Sequence, residues 1–263
     1  MTGDLSAALR AEALKVRRSR VPWATGAAMV LAGLVSAFFL FVLQDPARAR
    51  ELGLLGAKAQ LAGGAADWAG AFSLAAQVVA VGGLIVFGTV ALWLFGREFS
   101  DRTAKDLLAL PVPRRAVVLA KLVLGLAWCL ALTVLLLGTV LASGALLELP
   151  GWSPSTALQG AGTVLATAAL TAGLATTYGL AASVGRGYLP AVGVLFLTVL
   201  AAQVVAAVGY GAWFPWAVPA LLAGTAGPGH PAPGAAGIAA VVLLAAGCSA
   251  ATAVWWERAD HST

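Results

Sequence analysis

Runs of twenty or more mostly apolar residues, nearly free of charge, decide what this chain can become. An α-helix rises about 1.5 Å per residue, so about twenty residues cross the ~30 Å hydrocarbon core of a bilayer. Six such runs are expected to span, at about 22–43, 71–95, 116–147, 157–184, 190–210 and 235–256. A chain that is 60% hydrophobic and 10% charged cannot cover a water-facing surface, which excludes a soluble domain. The fold class is therefore all-α: a polytopic membrane protein with six transmembrane helices, an N-terminal interfacial helix and a short polar helix in a loop. The net charge of +5 would raise nucleic acid as a partner, but the basic residues cluster at the ends of apolar runs. That placement encodes topology, so no nucleic-acid partner is expected. With both termini on the cytoplasmic side, thirteen of the sixteen Lys and Arg fall inside and three outside.

Between the second and third runs lies a polar island, Gly96 to Lys121, with six Lys or Arg and three acids. Ser100 reads as an N-cap and Asp101 as first-turn charge, and nothing breaks a helix from Thr103 to Ala109. Ala104, Leu107 and Leu108 share one face of it; Asp101, Arg102, Lys105 and Asp106 line the other. Pro111 and Pro113 stop it, and Arg114 with Arg115 marks the return to lipid.

These residues resemble the cytoplasmic loop of the permease subunits of type 2 ABC exporters. That loop reads as an acid, a small-residue-Thr pair, a Leu-Leu step, Pro-Val-Ser-Arg and a later Lys. Here the positions are Glu98, Asp101-Arg102-Thr103, Leu107-Leu108, Leu110-Pro111-Val112-Pro113-Arg114 and Lys121. Arg102 stands where the family usually has Gly, and Pro113 where it has Ser. The resemblance implies that loop 96–115 docks as a coupling helix on a separate cytosolic ATPase, present in two copies, which holds the ATP and Mg. It implies apolar contacts from Phe99, Leu107 and Leu108, polar ones from Glu98, Arg102 and Thr103, a stop at Pro111 and an inner-surface anchor at Arg114. It also implies export across the bacterial cytoplasmic membrane by a homodimer or by a pair with a second permease. The other reading is a non-transporting assembly or immunity factor that binds a ligand or a different soluble partner.

Residues 1–21 place Leu5, Leu9, Ala13 and Val16 at helical spacing among Arg10, Lys15, Arg17, Arg18 and Arg20, as an interfacial amphipathic helix does. A signal-peptide n-region is the alternative, disfavoured because the apolar run that follows is about twenty residues long. Glu12-Ala-Leu-Lys15 with Arg18-Ser19 and Trp23 is also similar to the start of bacitracin- and lantibiotic-type permeases in the same family. Residues 22–263 form the six-span domain. Its first outer segment, 44–70, allows a helix at 47–61. Segment 211–234 is interrupted by Pro215, Pro219, Pro228, Pro231 and Pro233, so Trp213 to Leu222 is read as an interfacial or re-entrant half-helix on the outer side, or as an aromatic belt anchor.

No charge lies clearly at mid-depth in the spans, which argues against ion coupling and asks for another energy source. Thr163, Thr167 and Thr171 recur every fourth residue and share a face. Back-bonding to the helix's own carbonyls is the favoured account of that face; lining a substrate path, with Trp213 and Trp216, is the other. No P-loop, HExxH, GxSxG or paired-carboxylate pattern occurs, so no catalytic residue and no cofactor is assigned to this chain. Cys129 and Cys248 lie in apolar runs, and His230 and His261 lack ligand-spaced neighbours, so no metal site is assigned either. Membrane lipid is an expected partner.

Overall fold

A computed structural model describes residues 2–45, 47, 51, 66–103, 112–225 and 233–258. Its helices are α1 (Thr2–Arg18), α2 (Val21–Gln44), α3 (Trp68–Ser100), α4 (Arg114–Leu146), α5 (Pro154–Val184), α6 (Tyr188–Ala207), α7 (Val218–Leu222) and α8 (Ala235–Arg258). Among the described residues there is no strand. Six helices, α2, α3, α4, α5, α6 and α8, are long and apolar enough to span a membrane. The spans differ in length: α3, α4 and α5 have 33, 33 and 31 residues, whereas α2, α6 and α8 have 24, 20 and 24.

The centre of the bundle is the α3/α5 seam, the most extensive contact in the molecule. Both helices run the same way, and rings of one fill gaps left by glycines of the other. Phe72 of α3 lies over Gly160, Phe95 lies over Gly179, and Tyr178 of α5 lies over Gly88. Lipid gives helices no hydrophobic reason to associate, so close backbone approach at small residues supplies the dispersion contact instead. α4 and α8 pack against this pair, α2 lies on α4, and α6 on α5 and α3.

The second span is longer than the sequence indicates. A helix start at Ser100 is overturned, because α3 runs on through Ser100 before it ends. The amide of Arg102 donates to the Phe99 carbonyl (3.2 Å) and that of Thr103 to the Glu98 carbonyl (2.9 Å). This paired closure requires a left-handed residue at the turn, and Arg102 supplies it at φ 58°. Glu148 (φ 50°) and Arg186 (φ 52°) close α4 and α5 in the same manner. Segment 104–111, with Leu107, Leu108 and Pro111, lies outside the described residues, as do 52–65, His230 and His261.

Trp213 to Leu222 is not one half-helix. Two 3-10 turns, Gly211–Trp213 and Pro215–Ala217, precede the five residues of α7. Pro215 and Pro219 explain the break, since each removes an amide donor and each sits in the first turn of its own short element.

Candidate functional site

The end of the bundle that carries the polar loop is tied by charge. Lys121 lies two turns into α4 and is fully buried. Its ammonium donates to Glu12 Oε2 (2.9 Å), Glu98 Oε1 (2.9 Å) and the Leu94 carbonyl (2.7 Å), which uses all three protons. Lys15, on α1, donates to Glu12 Oε1 (2.7 Å) and to Glu98 Oε1 (2.8 Å). Thr103, at the first step of the loop, donates its hydroxyl to Glu98 Oε2 (2.8 Å). Two acids and two bases thus join α1, α3, α4 and the loop in a neutral knot.

The expectation that no charge lies at mid-depth in the spans is not overturned by Lys121, which sits near the first end of the 33-residue α4. Lys121 is a buried cation on a spanning helix, tolerated because three acceptors replace its water. Glu98 is likewise only 1% exposed and Glu12 2%, so Glu98 faces the bundle interior and not an external partner. On α1 the buried positions are Ala8 and Glu12, and this face packs on α4. Burial pulls the Lys15 pKa down, but the Glu12 and Glu98 carboxylates outweigh it and hold the value above the ordinary 10.5. A raised pKa means that the Lys15 contribution is complete below 10.5 and is lost only as pH climbs through the higher value. Lys15 therefore stays charged throughout the physiological range.

A second set of contacts locks the same end. Arg114 Nη1 donates to the carbonyls of Trp256 and Glu257 (3.2 Å each), meeting the last carbonyls of α8 with a cation. Arg115 pairs with Glu257. Trp256 is 1% exposed and its indole N–H donates to Ser183 of α5 (2.9 Å). Phe99 packs edge-on against Trp255 and tilted against Trp256, with centroids 5.8 and 5.6 Å away.

The residues singled out for coupling therefore separate. Glu98, Phe99 and Arg114 turn into the bundle, whereas Arg102 and Thr103 are exposed where the loop begins. The path candidates separate as well. Thr167 and Thr171 are fully buried on α5, Thr171 bonding back to the Thr167 carbonyl (2.8 Å), while Thr163 is exposed and bonds back to Gln159 (3.0 Å). Trp213 is 75% exposed. Trp216 helps line a cavity of about 350 Å³ between α3, α6 and α7, where Gln203 and Thr225 supply polar groups. The ion knot escaped sequence reading because its cross-helix pairs, Lys121–Glu98, Lys15–Glu98 and Lys121–Glu12, are 23, 83 and 109 residues apart. One signal pointed to it: Lys121 has no acid within helical reach on its own segment.

The sequence model of the family described as "ABC-2 family transporter protein" matches residues 8–202. The chain is also 28% identical over 184 residues to the bacitracin transport permease protein of Bacillus licheniformis, across 70% of this chain and 88% of that one. No solved structure matches.

Proposed function

The chain belongs to the ABC-2 transporter family, and from that premise we propose that it is the permease subunit of an ATP-driven exporter, driven through its 98–114 loop by a separate ATPase. A multi-pass permease has no energy source in its own described residues. The partner is a cytosolic ABC ATPase in two copies, binding ATP and Mg, and two permeases, identical or paired with a second kind, enclose the path. The loop end of the bundle faces the cytoplasm, with both termini there, in the bacterial cytoplasmic membrane.

The observation that carries this reading is the ion knot beneath the loop. Thr103 joins the loop to Glu98, and Glu98 is joined through Lys121 and Lys15 to α4 and α1. A push on Leu107 and Leu108 by a closing ATPase would then move three helices as one body. Glu98 and Lys121 act as positioning residues, while Arg102, Thr103, Leu107 and Leu108 meet the partner. Cargo follows only from the relative: bacitracin, which that protein's name gives, is the first compound to test.

Co-expression with a candidate ATPase from a neighbouring gene tests the proposal. The two proteins should co-purify, and the permease should alter ATP hydrolysis. Replacing Leu107 and Leu108 by Asp should abolish both effects and leave membrane insertion unchanged. Wild-type transport by that double variant, or activity of the permease with no ATPase present, would refute coupling and favour a ligand-binding immunity factor.

A further inference from the structure

Two crevices open between the same parts of the chain. On one side is the α1/α2 junction; on the other is a stripe of α3 in which Ile85, Thr89, Trp93 and Arg97 recur every fourth residue. The first crevice, about 400 Å³, is walled by Ala24, Thr25 and Ala28 of α2 and by Ile85, Val86 and Thr89 of α3, with Arg20 at its rim. Its Thr25 hydroxyl already donates to the Val21 carbonyl (2.9 Å), so the wall is apolar in practice. The second crevice, about 310 Å³, is lined by Leu14, Lys15, Arg18, Ser19 and Arg97. The α3 stripe leads from one crevice to the other, so an apolar groove ends in a cluster of cations.

The charges there are in excess. Lys15 is committed to Glu12 and Glu98, but Arg18 and Arg20 are exposed and make no ion pair among the described residues. Arg97 lies over the Trp93 ring (4.8 Å) and 3.8 Å from Asp101 through Nη2, yet its Nη1 is shielded from water with no hydrogen-bond partner. An orphaned guanidinium N–H is costly to leave unmet, and a phosphate oxygen is the acceptor its geometry suits best.

We propose that the paired crevices hold one anionic phospholipid from the leaflet on the loop side. Its phosphate sits among Arg18, Ser19 and Arg97, with Arg20 beside it, and one acyl chain lies in the α2/α3 groove. A zwitterionic lipid would leave the surplus positive charge unmatched. Free phosphate would leave the groove empty. The site concerns lipid alone and does not depend on the ATPase reading.

Native mass spectrometry of the full chain, with added phosphatidylglycerol or phosphatidylethanolamine of the same acyl chains, tests this. One phosphatidylglycerol should be retained about tenfold more tightly, the effect expected of a charge-assisted contact. Arg18→Gln with Arg97→Gln should erase that preference. Ala28→Trp, which fills the groove without changing charge, should release both lipids, and inorganic phosphate should displace neither. Equal retention of the two lipids, preference surviving the Gln pair, unchanged binding by Ala28→Trp, or displacement by phosphate would each overturn the proposal. If the Arg97 variant fails to fold by circular dichroism, the exposed pair Arg18→Gln and Arg20→Gln carries the same test, with the same two outcomes.

Discussion

Removing the Lys121 ammonium would leave Glu12 and Glu98 sharing one base, Lys15, in a site with almost no water. Lys121→Met is expected to cost about 3–5 kcal/mol, read as a lower thermal midpoint in detergent. Adding Glu98→Gln restores charge balance and should recover part of that loss. A double variant no more stable than the single one would mean that packing, and not charge, holds the site. Arg102 gives the opposite case. It occupies a left-handed turn at φ 58°, a conformation that costs an ordinary residue about 1–2 kcal/mol and glycine almost nothing. Arg102→Gly should therefore raise the midpoint, and a fall would show that the guanidinium makes a contact worth more than the strain. Arg102 was legible in the sequence as a departure, but the cost was not, because φ follows from where α3 ends and that end was misplaced at Phe95.

At the scale of the elements, the α3/α5 seam sets the tolerance of the bundle. A Cβ on Gly160 would run into Cγ of Phe72 and lie 2.6 Å from its Cβ, atoms too close to the backbone to swing aside. Gly160→Ala is expected to destabilise by about 1–3 kcal/mol. Gly162→Ala, two residues on and with nothing within 4 Å, should be neutral or stabilise by up to about 1 kcal/mol. Equal effects of the two, measured by thermal unfolding, would place the seam elsewhere. Helix positions were legible because the apolar runs are long, and α2, α5 and α8 start within a few residues of the expected points. What composition hides is where a helix stops once it has left lipid. Gly96 to Ser100 reads as loop by polarity, yet Phe99 and Glu98 are held helical by Trp255, Trp256 and Lys121, partners supplied by other segments.

For the whole molecule, the distribution of charge predicts an orientation that labelling can test. Cysteines introduced at Arg102 and at Ser155, at opposite ends of the bundle, should react with impermeant thiol reagents from the cytoplasmic and the outer side respectively. Native Cys129 and Cys248 are buried and should stay silent. Labelling of both sites from one side would break the six-span arrangement. The candidate site was partly legible at this scale. Glu12, Lys15, Glu98 and Lys121 all lie in the two segments that resemble the exporter family, but one-dimensional reading treated them as two surface patterns. Only the folding of α1 onto α4 brings them together.

The unequal helix lengths also set a standoff distance. Thirty-three residues make about 50 Å of helix, and a 20° tilt shortens the vertical reach only to about 47 Å, against ~30 Å of hydrocarbon. The opening turns of α4, from Arg114 to Lys121, are about 10 Å long, less than the excess, so they can stand clear of the oily layer like the foot of a pier. A bulky soluble protein could moor there without stripping water from the headgroups beneath it.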